Sequence, residues 1–133
     1  PQIEADIILV DFHAEATSEK LGMGYFLDGK VSLLFGTHTH VQTADEKILP
    51  GGTGYITDIG MCGPAHSVLG VAPELAIRRM RTHLPTRFEN ASGPCSLGGI
   101  VVDSADLCCL IQSGITYVIG LIFFLYCYKI VAD

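Results

Sequence analysis

The sequence is short of basic residues. Lys and Arg number 8 against 14 Asp and Glu, a formal net charge of -6. Phosphate-backbone binding needs clustered Lys and Arg, so nucleic acid is not expected as the main partner. Paired cysteine motifs are also missing. Cys62, Cys95, Cys108, Cys109 and Cys127 form no CxxC pair, show no metal-ligand spacing and are odd in number. That pattern argues against a disulfide framework or a zinc knuckle and suits a reducing, cytoplasmic compartment. A basic leader is absent as well: IEADIILV carries two acids where a signal peptide has its positive region. The chain opens at Pro1, directly before an expected strand, and on that ground reads as a fragment. No internal repeat or low-complexity tract is present.

Apolar residues make up 49% of the 133, enough to build the core of about one domain. Residues 3–12, IEADIILVDF, read as a buried strand. HAEATSEKLGMGYFL follows with helix formers in its first half, and Gly22 and Gly24 weaken its second. Asp28-Gly29 signals a turn, and VSLLF (31–35) a second buried strand. Strand, helix and strand within about 35 residues predict a βαβ unit. A third strand is expected at YITDIG (55–60) and a helix over 73–83. Pro73 suits the first helical position of that helix, Glu74 its positive end, and Arg78, Arg79 and Arg81 its negative end. TRFENAS and SLGGIVVDS suggest a hairpin turning at ENASGP. From Leu107 to Tyr128 there is no charge, a length that suffices for a transmembrane helix. This segment reads either as such an anchor or as a frameshifted tail beginning near Ser104.

Histidines stand at two strand ends. VDFH ends at His13, and LLFGTHTH ends at His38 and His40. Ligands gather beyond the carboxyl ends of parallel strands, so neighbouring strands would bring the three rings to one mouth. On an extended backbone, positions i and i+2 face the same way about 6.5–7 Å apart. Such side chains can reach two metals held roughly 3.5–4 Å apart. A nucleophilic dyad has less support, because neither Ser18 nor Cys62 sits in an activating motif. Asp11 is placed to orient His13. A two-metal hydrolase also needs carboxylates, and Glu15, Asp45 and Asp58 are spare candidates without a geometric claim.

At these residues the sequence resembles the YmdB-like branch of the calcineurin-type metallophosphoesterases. The matching stretches are DFHAEATSEK, YFLDGKVSLLFGTHTHVQTAD, ILPGGTGYITDIGMCGP and VLGV. The resemblance runs from about Ile7 to Asp103. It implies an α/β fold, the C-terminal half of an αββα sandwich over residues 1–106, followed here by an apolar C-terminal helix over 107–128. It also implies hydrolysis of phosphodiesters, with 2′,3′-cyclic nucleotides as the substrate class. The implied cofactors are two divalent metals, iron or manganese with zinc as a substitute. By motif, His13 and His38 would ligate one metal and His40 the other, while Asp11, Thr39 and His66 would support ligands or substrate. The family's GDVVG-like, NGEN and GNH motifs, with its catalytic histidine, do not occur in this chain. An incomplete site, little activity in isolation and self-association through exposed sheet surfaces are therefore expected. The alternative is a degenerate, membrane-anchored binding module.

Overall fold

The computed structural model of the chain describes residues 5–102 and, as backbone, residues 111–118. One compact unit holds the residues up to Gly60 and resumes at Gly98; the other begins at Met61 and runs through Leu97.

In the first unit, β1 (Leu9–His13), α1 (Thr17–Leu27) and β2 (Leu33–Thr37) form the expected βαβ unit. The two strands are parallel, with Leu9 opposite Leu33 and His13 opposite Thr37. The apolar run of each strand matches its place in a sheet packed against a helix. β3 (Lys47–Ile48) and β4 (Gly54–Ile56) complete the sheet in the order β1-β2-β4-β3, with β4 parallel to β2 and β3 antiparallel to β4. Leu34, Leu49 and Tyr55 form the buried core, with Val10, Phe12, Leu21, Met23 and Leu27 packed on it.

Helix α1 runs through both of its glycines, and the tertiary contact explains one of them. A Cβ on Gly24 would stand 2.8 Å from Tyr55 Cδ2, so the missing side chain lets the helix lie close on the core tyrosine. Packing of this kind outweighs the helix-propensity cost of glycine, about 1 kcal/mol.

The turn after α1 does more than reverse the chain. Gly29 takes a φ of 75°, and Asp28 accepts hydrogen bonds from Gly51 N (2.8 Å) and Thr53 N (3.3 Å). Thr53 Oγ1 in turn accepts from Gly29 N and donates to Val31 O. Asp28 thus ties the LPGGTG loop to the end of α1. Asp28→Ala should lower stability by about 1–2 kcal/mol by leaving two amides without an acceptor. Faster hydrogen exchange at Gly51 and Thr53 would report the loss, and unchanged exchange would refute it.

In the second unit, β5 (Gly63–Pro64) precedes α2 (Pro73–Thr82). The helix starts where its signals predict and ends at Thr82, one residue short of the expected 73–83. Pro73 starts it, and it stops at His83, which adopts a left-handed φ of 56° and donates its amide to Arg79 O. The expected hairpin is not formed. Residues 86–92 are not a strand; they are tied to the 70–72 segment by Ala72 N→Glu89 O and Ala91 N→Gly70 O. β6 (Cys95–Val102) pairs antiparallel with β5 instead, with Gly63 opposite Ser96 and Pro64 opposite Cys95. Phe88 is the only large apolar residue in TRFENAS, so that stretch has no alternating face to pair.

The expected apolar C-terminal helix is overturned where it can be seen. Ile111–Val118 is a strand, β7, in a sheet of order β5-β6-β7. Ile111, Ile115, Thr116, Tyr117 and Val118 favour strand, and Gly114 weakens helix. Among the described residues no helix is long and apolar enough to cross a membrane. The remainder of the proposed span, 107–110 and 119–128, lies outside the described residues. The α/β class stands without that helix.

Candidate functional site

Parallel pairing of β1 with β2 brings two histidines together at the carboxyl ends of these strands. His13 Nε2 and His38 Nδ1 are 3.0 Å apart, with ring centroids 4.9 Å apart and planes at 77°. Behind them, His13 Nδ1 lies 3.1 Å from Thr37 Oγ1, and Thr37 Oγ1 donates to Asp11 Oδ1 at 3.0 Å. Thr37 has one hydroxyl proton and gives it to Asp11, so His13 Nδ1 must donate to the threonine oxygen. In the neutral pair, His13 Nε2 is then the acceptor and His38 Nδ1 the donor. His38 Nε2 is left as the unprotonated nitrogen of an exposed ring. The Asp11 role read from sequence is thus exerted through Thr37 rather than directly on the ring.

The loop that carries His38 is strained and clamped. His38 and His40 have φ values of 122° and 63°, a region L-residues rarely adopt and which costs of order 1–3 kcal/mol each. Strand β2 ends at Thr37, so the period-two alternation expected for the histidines does not apply. Asp58, fully buried, supplies the clamp. It accepts from Thr39 N through Oδ2 (2.9 Å) and from Gly60 N through Oδ1 (2.9 Å), and it pairs with the buried Lys20 Nζ at 2.9 Å. Its main-chain oxygen also accepts from Thr43 N at 3.0 Å. Burial alone would raise the Asp58 carboxyl pKa, but the bonds from Lys20, Thr39 and Gly60 outweigh it and hold the group below the usual carboxylate range. Asp45 behaves alike: burial pushes its pKa up, and bonds from Thr43 and Thr57 bring it below its ordinary value. Lys20 had no sequence signal; a lysine in a glycine-containing helix looks like a solvated one.

The metal expectation requires correction. Among the described residues no group of three His, Cys, Asp or Glu side chains could hold a metal ion. His13 spends one nitrogen on Thr37 and the other on His38, Asp58 is committed to Lys20 and two amides, and Asp45 bonds Thr57. The donor set of the described residues therefore does not fit the two-metal centre, and among them the three-histidine ligand set with its iron, manganese or zinc is not assembled. Thr39 is occupied locally, its amide on Asp58 and its hydroxyl on Val41 O. His66 is exposed in the second unit, where neighbouring Ser67 caps the loop through Pro64 O and Gly70 N.

Comparison with known proteins matches this chain to longer ones. A family model described as "YmdB-like protein" matches residues 1–112. The 2′,3′-cyclic-nucleotide 2′-phosphodiesterase of Bacillus subtilis (strain 168) is 57% identical over 99 residues, which are 74% of this chain and 38% of that protein. A crystal structure of a hypothetical protein from Thermus thermophilus superposes with a TM-score of 0.79 at 38% identity, covering 87% of this chain and 46% of the other. A structure described as a novel phosphatase from Mycoplasma pneumoniae gives 0.76 at 39% identity, covering 86% and 42%. The chain thus spans less than half the length of each of these relatives.

Proposed function

The chain belongs to the YmdB-like family of metallophosphoesterases, and from that membership we propose that it serves phosphodiester hydrolysis as one part of a larger site. The substrate class is a cyclic nucleotide, as the Bacillus subtilis relative's name indicates for that protein. The observation that carries this reading is the His13–His38 pair at the mouth of β1 and β2, backed by Thr37 and Asp11. In this reading the lone pair of His38 Nε2 accepts the proton of a water whose oxygen bonds to phosphorus. The bond from phosphorus to one ribose oxygen breaks, and that oxygen takes the proton back from the imidazolium. Asp11 and Thr37 keep the His13 ring in the tautomer that orients His38. A cytoplasmic location, suggested by the unpaired cysteine spacing, belongs to the same proposal.

Asp11, Asp28, Asp45 and Asp58 are committed to hydrogen bonds within the fold, so little turnover by this chain alone is expected. Binding is the sharper test. Titration with a 2′,3′-cyclic nucleotide, followed by NMR of the imidazole resonances, should shift His13 and His38 saturably. Thr37→Val should weaken that response by loosening the His13 ring, while leaving the chain folded. A nucleotide that perturbs neither ring at saturation would sink the proposal.

A further inference from the structure

We propose that the cleft between α2 and the turn at residues 68–71 binds a small organic acid with an aromatic body. Arg79 holds the carboxylate, and Phe88, Leu69 and Met80 take the ring. The site goes beyond phosphodiester hydrolysis. It is built wholly within the second unit and shares no residue with the His13–His38 pair.

The cleft has a volume of about 520 Å³, within the range of roughly 300–1,000 Å³ usual for small-molecule sites. Hydrogen bonds fix its walls in advance. Val68 N donates to Val71 O (2.9 Å) and Val71 N to Val68 O (3.0 Å) across a two-residue turn. Ala72 N→Glu89 O and Ala91 N→Gly70 O then hold the segment that carries Phe88 against that turn. Two residue choices on the lining work against local preference. Leu69 has a φ of 51° in a turn position that Asn, Asp or Gly normally fills. His83 has a φ of 56° where glycine usually ends a helix. Each puts a large side chain on the cleft in place of the residue the backbone prefers. Leu69 nevertheless stays 53% and Met80 67% exposed, so the apolar lining is open to an occupant.

Charge selects the occupant. All four arginines of the chain, Arg78, Arg79, Arg81 and Arg87, fall in one short stretch, and residues 70–90 contain only Glu74 and Glu89 as acids. The region is thus net positive in a chain of net charge -6. Arg79 alone brings a formal charge to the cleft lining. Its guanidinium lies 5.7 Å from the centroid of the Phe88 ring, and among the described residues no carboxylate pairs with it. A guanidinium stacked on a ring keeps its N–H edge for a planar carboxylate, which it can hold through two parallel bonds. His83 is the other polar group on the lining, and its ring can donate to the same carboxylate. The Phe88 face and the Met80 thioether favour an aromatic body over an aliphatic one. A second copy of this chain fits less well. A two-fold contact over the cleft would set the same arginines against each other.

The experiment titrates the full 133-residue chain with naphthylacetate, with its neutral amide and with acetate, following the methyl resonances of Leu69, Val71 and Met80 by NMR. Naphthylacetate should shift them saturably. The amide should bind about tenfold or more weakly, because the charge-assisted pair with Arg79 is lost. Acetate, which has no apolar body, should shift none of them. Arg79→Gln should reduce the acid to the affinity of the amide, and Phe88→Ala should weaken acid and amide alike. Arg81 lines a separate surface with Glu74 and Ile77, so Arg81→Gln should leave the preference for the acid within about twofold. No binding of naphthylacetate would overturn the proposal, as would equal affinity for acid and amide in the parent chain. An equal loss in Arg81→Gln would also overturn it, by assigning recognition to general charge. So would methyl shifts that follow protein concentration without ligand, because a second copy would then be the occupant.

Discussion

Gly36→Ala is expected to remove a large fraction of the chain's stability. Gly36 lies in β2, opposite Phe12 and beside β4, where the backbone of one strand end crosses close to the other. An added Cβ would fall well inside contact distance of Thr57 O, 2.9 Å from Thr57 C and 2.7 Å from Lys20 Cδ. The lysine stem could shift, but the carbonyl cannot move without disturbing the adjoining Ile59 N→Gly36 O bond and the β2–β4 ladder. Overpacking of a tight core typically costs about 1–3 kcal/mol, and a backbone obstacle places this site at about 3 kcal/mol or more. Domains of this size are stable by only about 5–15 kcal/mol, so the loss is a large fraction of the whole. Urea unfolding with hydrogen exchange at Ile59 measures it. A variant as stable as the parent would show that β2 and β4 are not held this close.

Breaking the Lys20–Asp58 pair is the other large effect. Both side chains are fully buried, so Asp58→Asn leaves an uncompensated lysine and Lys20→Met leaves a carboxylate supported only by amides. Each single change should cost about 3–5 kcal/mol, and the double variant should cost clearly less than their sum. Additive losses would mean that the two groups are not coupled. Asp58→Asn should also disturb the His38 ring, because the Thr39 amide loses its anionic acceptor. The pair makes a pH prediction with a definite sign. The folded carboxyl pKa lies below its unfolded value, so the unfolded state binds the proton more readily. The stabilisation is present above the unfolded value of about 3.9 and is lost as pH falls through the folded pKa. Denaturant midpoints measured from neutral to acid should fall more steeply for the parent than for Asp58→Asn. Equal slopes would assign the acid response to other groups.

The residues show where sequence reasoning worked and where it stopped. His13 and His38 were legible because each follows an apolar run that must become a strand, and parallel neighbours place both at one end. His40 was not, since the alternation argument assumed an extended chain and the backbone turns left-handed at His38. Asp45 and Asp58 were legible only as spare carboxylates, without a place at the site and not as groups spent on holding it. Their partners, Thr57 and Lys20, come from distant parts of the chain, 12 and 38 residues away. The hairpin failed for a related reason: β6 found a partner in Gly63–Pro64, which has almost no strand signal of its own.

Local rules were enough for the βαβ unit, the start of α2, the Asp28-Gly29 turn and the family, because apolar periodicity, capping and motif spacing act over a few residues. Tertiary structure decided the rest. It made Lys20 a buried counter-ion, turned Ile111–Val118 into a strand, and joined His13 to His38 by a hydrogen bond in place of a three-ligand metal cluster. Those outcomes depend on which distant groups meet, and a buried charge or an orphaned amide must take the partner that packing brings to it.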